Sequence, residues 1–356
     1  MGAGAHDWVV RGIGVDDGQP VELGVSQGRL VAQPEPGAEE LPGRYILAGL
    51  VDAHVHLALD LSGLGLANGD PELVHANLRA HLDAGVLLAR DVGAPVGVRV
   101  GGDHDHGPLT LAAGRFLAPP GGYIPGLYEG VGEDQLVDVG LQELATGGGW
   151  VKLVLDFPEH FTGPESFMGA TPNYPPDLLT ELCRKVHKAG GRVAAHVSGP
   201  GDATLAVDVG VDSVEHGVDL AMSDLERLGD RGGAWTPTLT TVWREGISHS
   251  PFAQLVGDQL RQTLTAAASY GVTVLAGTDA TPHGTIADEI ALLAEFGLGP
   301  AKALAAASTS ARHYFRHPGL VTDQPADLVT YDADPRADTD VLRHPAAILR
   351  GGRRVR

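Results

Sequence analysis

The sequence predicts an α/β protein, a (β/α)8 barrel carrying a small β-domain built from both chain ends. Three observations point there. Short apolar strands alternate with helical patterns through the middle of the chain, both termini read as strands joined by tight turns, and polar residues gather at strand ends. A length of 356 residues suits one large domain with a small companion. Apolar and charged contents of 43% and 20% are those of a folded soluble protein. The formal net charge of −20 argues against nucleic acid and against an anionic membrane surface as partners, leaving a small molecule as the expected one.

Taken in order, the chain opens with strand patterns at Trp8–Gly14, Val21–Ser26 and Arg29–Ala32, separated by Asp-Asp-Gly and Gln-Gly turns. A Pro/Gly/Glu stretch, Pro34–Gly43, leads into Ile46–His54, expected as the first barrel strand. Seven more are expected at Gly85–Val92, Arg115–Ala118, Trp150–Leu155, Arg192–Val197, Ser213–His216, Ala234–Leu239 and Val272–Ala276. Helical periodicity covers Pro71–Ala84, Glu133–Ala145, Pro176–Ala189, Ala203–Val209, Ser223–Leu228, Ala253–Ser269, Ile286–Phe296 and Pro300–Tyr314. Eight strands alternating with helices over about 250 residues fit a TIM-type barrel. An open doubly wound sheet would want Gly-X-Gly-X-X-Gly at an early strand end, and none stands there. Near the C-terminus, Ala326–Tyr331 and Ala346–Arg350 return to strand character before a Gly351-Gly352 turn. Chain termini lie close together in compact proteins. Residues 1–47 and 318–356 are therefore expected to form one β-sandwich domain beside a barrel spanning 48–317.

The chemistry starts at Leu50–Leu57, where His54 and His56 flank one valine. Alternation along a strand sends both imidazoles to the same side, a natural way to hold part of a metal shell. Other strand ends carry Lys152, His196, His216 and Asp279. Singly, a strand-end histidine is a satisfied polar residue, a lysine snorkels outward, and an aspartate caps a helix. Six such residues at the mouths of five strands make one metal site the better reading. Cys183, the only cysteine, falls in a helical pattern and reads as a packed residue, and no internal disulfide is possible. Asp103-His-Asp-His106 reads as a solvated loop, and Arg90-Asp91 as structural. No basic region followed by an apolar stretch opens the chain, and no apolar run spans a bilayer, so the expected location is the cytoplasm.

The order His-X-His, Lys, His, His, Asp resembles the amidohydrolase superfamily, as does the entry signature Leu47-Ala-Gly-Leu-Val-Asp-Ala-His-Val-His. Ala326-Asp-Leu-Val329 is similar to the stretch with which such chains re-enter the terminal β-domain. Ala276-Gly-Thr-Asp279 with His283-Gly284 resembles the branch of imidazolonepropionase-like hydrolases and Xaa-Pro dipeptidases. The resemblance implies two divalent ions, best matched by zinc, with manganese and cobalt as other ions such ligands take. His54, His56 and Asp279 would hold the more buried ion and His196 and His216 the other, with Lys152 bridging them as a CO2-derived carbamate. It also implies hydrolysis of an amide-type C–N bond, in a dipeptide, an N-acyl amino acid or a cyclic amide. The nucleophile would be a metal-bridging hydroxide, with Asp279 as general base and then acid. The alternatives are a mononuclear deaminase or imidazolone-ring hydrolase with His216 contacting substrate, a phosphotriesterase or lactonase, and a non-catalytic small-molecule-binding barrel. Tyr123, where related enzymes carry a histidine, and His283 are the candidate substrate contacts. Loops 97–109, 121–130 and 240–251 are expected to set specificity. The sequence is compatible with a homo-oligomer and does not specify one.

Overall fold

The computed structural model of the chain describes residues 6–60, 69–160, 164–199, 201–243, 251–317 and 319–356. The stretch 244–250 of the last specificity loop, and residue 318 at the expected domain boundary, lie outside them. Parallel strands covered on both faces need apolar side chains throughout, and these have them. Every residue of Leu50–Val55, Val86–Asp91 and Trp150–Val154 is buried. Leu50–Val55, Val86–Asp91 and Leu109–Ala112 pair in parallel. Phe116–Leu117, Trp150–Val154, Arg192–Val197, Ser213–His216, Ala234–Thr236 and Thr273–Val274 continue the parallel order. The third barrel strand is broken between its two pieces, so its first half pairs with strand two and its second with strand four. Beyond strand eight, Ala53 N–H donates to Ala276 C=O and Asp279 N–H to His54 C=O, each at 2.8 Å, which closes the (β/α)8 barrel.

The flanking helices begin and end where local chemistry directs. Pro71–Asp83 starts with proline in its first turn, and the Asp70 carboxylate accepts from Glu72 N–H at 2.9 Å. Pro176–Lys188 buries Leu179, Leu182, Cys183 and Val186, one apolar stripe, and carries Lys185, His187 and Lys188 in its last turn. Cys183 is thus packed, as expected. Among the described residues no helix is long and apolar enough to cross a membrane.

Both termini share one eight-stranded sheet. In order along it lie Arg353–Arg354, Ala347–Arg350, Leu328–Tyr331, Tyr45–Ala48, Trp8–Gly14, Pro20–Ser26 and Arg29–Val31, with Glu39–Glu40 also paired to Trp8–Gly14. Trp8, Val10, Val25, Leu30, Ile46, Leu328 and Leu349 form its core. The loop containing Asp103-His-Asp-His106 docks on this sheet. Arg350 pairs with Asp103, and Arg353 donates to Asp105 C=O.

Two expected elements divide and a third ends early. Ile46–His54 splits at Gly49, with Tyr45–Ala48 antiparallel to Leu328–Tyr331 in the terminal sheet and Leu50–Val55 in the barrel. A Cβ on Gly49 would come within 2.4 Å of Leu87 Cδ1, so only glycine lets the chain change sheets there. Strand seven stops at Thr236 because Thr238 takes a left-handed φ of 49°. Pro300–Tyr314 separates into Gly299–Ala306 and Thr309–Tyr314, between which Ser308 Oγ–H donates to Ala48 C=O at 2.9 Å.

Candidate metal centre

Barrel register carries the predicted residues to one end. Lys152 lies beside Ala194 of strand five and Phe116 of strand three, His196 beside Val154 and Glu215, and His216 beside Val197. His54 and His56 follow from strand one, and Asp279 from the segment after strand eight. His216 and Asp279 have left-handed φ values of 66° and 43°. The kink at His216 lets Glu215 and His216, neighbours in sequence, both serve the interior.

All six expected ligands come together. His54 and His216 rings lie 5.1 Å apart, His54 and His56 5.3 Å, and His196 and His216 4.6 Å, centroid to centroid. Asp279 Oδ1 stands 3.4 Å from His56 Nε2 and 3.8 Å from His54 Nε2, while Oδ2 stands 4.0 Å from His216 Nε2. His54, His216 and Asp279 offer three ligand atoms all within 4.8 Å of one another, a set that draws on both expected metal positions. Lys152 is 1% exposed and its charge depresses the pKa of all four imidazoles.

The imidazoles are prepared for ligation. His54 Nδ1–H donates to Glu215 Oε2 at 2.8 Å, His56 Nδ1–H to Gly93 C=O at 2.9 Å, and His216 Nδ1–H to Thr238 Oγ1 at 2.7 Å. Each bond puts the proton on Nδ1 and leaves the Nε2 lone pair free to ligate. Burial, followed by the Lys152 charge, holds His54 well below its ordinary pKa and His56 at about 3. Burial also keeps His196 and His216 neutral, the form that binds metal. It brings the Lys152 ammonium down to about 8, against the pull of Glu215 and Asp279. Among the described residues, His54 Nε2, His196 Nε2 and Lys152 Nζ are buried without a hydrogen-bond partner. Orphaned polar atoms of this kind are costly unless something occupies the space between them. Nitrogen donors and a carboxylate in one chamber fit divalent ions.

The sequence reading missed the support beneath. Glu215, fully buried, accepts from His54, from Arg90 Nη2 at 2.7 Å and from Ser213 Oγ at 2.5 Å. Arg90 also donates from Nε to Ala53 C=O at 2.7 Å. An acid inside an apolar strand, one residue before a ligand, was the available signal. Asp52 joins strands one and eight by accepting from Thr278 N–H at 3.0 Å and Thr278 Oγ–H at 2.8 Å. Tyr123 borders the centre, its ring 5.8 Å from His196 and 5.1 Å from both Phe116 and Phe157. Burial and the Asp279 charge push its phenol up. His283 sits to one side, Nδ1 hydrogen-bonded to His81 Nε2 at 3.0 Å. Among the described residues Asp103-His-Asp-His106 joins no group that could hold a metal.

Residues 164–354 match the model of the amidohydrolase family. A protein of Mycobacterium tuberculosis is 36% identical over 360 residues, covering 97% of this chain and 94% of its own length. The ochratoxinase of Aspergillus niger is 26% identical over 190 residues, 49% of this chain and 39% of that one. In structure, a Xaa-Pro dipeptidase with bound methionine superposes with a TM-score of 0.78 at 19% identity, covering 98% of this chain and 99% of that one. Aspergillus niger ochratoxinase also gives 0.78 at 19% identity, covering 99% and 96%. These structural likenesses show the shared fold. The family match and the full-length mycobacterial relative together show that the chain belongs to the amidohydrolase family of hydrolytic enzymes.

Proposed function

We propose that this enzyme hydrolyses an amide-type C–N bond in a small molecule, with two divalent ions held by His54, His56, Lys152, His196, His216 and Asp279. The observation that carries it is the set of buried, unpartnered donors, His54 Nε2, His196 Nε2 and Lys152 Nζ, gathered in one chamber with Asp279. Divalent ions there, zinc being the best match, would lower the pKa of water and polarise the scissile carbonyl. The lowered pKa of Lys152 supplies the neutral amine that reacts with CO2, and a carbamate would turn a repelling cation into a ligand. Asp279 is the proposed proton acceptor from water and donor to the leaving nitrogen. Tyr123 is the proposed substrate contact, and Tyr123→Phe is expected to raise KM more than it lowers kcat. His283 is proposed to act through the loop that follows Asp279, since its ring bonds to His81. Dipeptides and N-acyl amino acids are the first substrates to screen, a choice supported by the dipeptidase and ochratoxinase likenesses. We place the protein in the cytoplasm.

A single-metal reading is favoured by one observation, the compact His54, His216 and Asp279 set. Elemental analysis of protein purified with bicarbonate, beside Lys152→Ala, separates the two. Near two metals per chain, clearly fewer in the variant, supports the bridged pair. One metal in both supports the mononuclear alternative, and none in either overturns metal-dependent hydrolysis.

A further inference from the structure

At the opposite end of the barrel, where strands four, five and six begin, a cavity of about 350 Å³ opens. Its charged lining is Arg192, Arg316, His187 and Asp212. Arg192 is held in place, its guanidinium 4.8 Å from the Tyr314 ring centroid and 5.6 Å from that of Trp150. Nη1 donates to Tyr314 C=O at 3.1 Å, and among the described residues neither Arg192 nor Arg316 has a carboxylate within ion-pair distance. Asp212 is already engaged, accepting from His187 Nε2 at 2.7 Å and from Val193 N–H at 2.8 Å. Arg316 occupies a left-handed position, φ 61°, just past the helix Thr309–Tyr314, where glycine is the easy residue. Gly149 and Gly190 border the cavity with open space where a side chain would stand.

Two arginines without counter-ions share one cavity in a chain with 45 acidic and 25 basic residues. A guanidinium fixed by aromatic contacts and a main-chain carbonyl keeps most of its N–H fork for a ligand, and that fork matches planar or tetrahedral oxyanions. We propose that this cavity is a binding site for a small oxyanion, a phosphate or a carboxylate, separate from the metal centre and held chiefly by Arg192 and Arg316. A cavity of this size admits a small organic anion as well as an inorganic one.

The test is calorimetric titration of the metal-loaded enzyme with inorganic phosphate and, in a second arm, with glutarate, each against sodium chloride at matched ionic strength. Saturable binding of either, weakened about tenfold or more in Arg316→Gln and in Arg192→Met, is the expected result. Preference between the two arms identifies the anion class. Arg316 is exposed, so Arg316→Gln keeps the fold, and the metal centre is unchanged in both variants. Binding of equal strength in parent and Arg316→Gln places the anion elsewhere and overturns the proposal. So does chloride matching both anions, which leaves Arg192 a clamp on the helix carrying Tyr314.

Discussion

Glu215→Gln probes how the protein fixes the protonation of the imidazoles proposed to bind metal. The carboxylate receives three hydrogen bonds, His54 Nδ1–H on Oε2, and Arg90 and Ser213 on Oε1. A glutamine has a single acceptor oxygen. With that oxygen toward Arg90 and Ser213, the amide N–H2 faces His54 Nδ1, and the imidazole moves its proton to Nε2, the atom needed for ligation. Loss of such an outer hydrogen bond lowers metal affinity by about 10–100-fold. Arg90, fully buried, also loses its counter-ion, and breaking one side of a buried pair costs about 3–5 kcal/mol. Two assays separate the effects, competition of metal binding against a chromogenic chelator and urea unfolding of the metal-free protein. Nitrogen NMR of His54 reads the tautomer directly. Affinity within twofold of the parent, with His54 still protonated at Nδ1, would refute the argument. Replacing Arg90 by methionine and Glu215 by leucine together should cost less stability than Glu215→Gln alone while still weakening metal binding.

Other outcomes follow from particular contacts. Glu289 is buried and accepts from Leu239 N–H and Thr240 N–H at 3.0 and 2.7 Å, yet burial raises its pKa to about 8. The folded state then holds a proton that the unfolded chain releases above the ordinary carboxyl range. This group's contribution to stability therefore falls as pH rises from about 4.5 to about 8, and melting curves of Glu289→Gln should lack that component. Gly49→Ala, which pushes a methyl against Leu87, should destabilise by about 1–3 kcal/mol in urea unfolding without changing metal content. Cys183 is 1% exposed and burial pushes its thiol up to about 12, so a thiol reagent should label it only after unfolding.

The barrel was legible because its strands are apolar on both faces and its candidate ligands sit at strand mouths, where type and order carry the pattern. Trp8–Gly14, Ser213–His216 and Arg192–Val197 have the bounds that alternation and turn residues suggest. What local pattern could not show was the path of the chain between sheets. Ile46–Val51 is apolar on both sides of Gly49, and no change of pattern marks the point where it leaves the terminal sheet. The need for glycine there comes from Leu87, a distant neighbour in sequence. The candidate histidines stood out by their spacing, whereas the role of Glu215, an acid in an apolar strand, could not be read locally. Its partners, Arg90 and His54, arrive from other strands. The Asp103–His106 loop is solvated as expected, with Asp103, Asp105 and His106 exposed, and only its anchors, Arg350 and Arg353, come from distant sequence.

The seam of the barrel runs through Ala53–Ala276 and His54–Asp279, where the first strand meets the segment after the last. That seam also carries proposed ligands from the first strand and from the segment after the last, so no short piece of the chain can assemble the site. On the proposed two-ion reading, the ions can bind only once the circle of strands is complete, and their binding free energy then opposes reopening. Chelation should accordingly loosen the junction of strands one and eight before the rest. Amide exchange at Ala53 and Asp279 should quicken on metal removal while the Trp8–Gly14 strand of the terminal sheet stays protected.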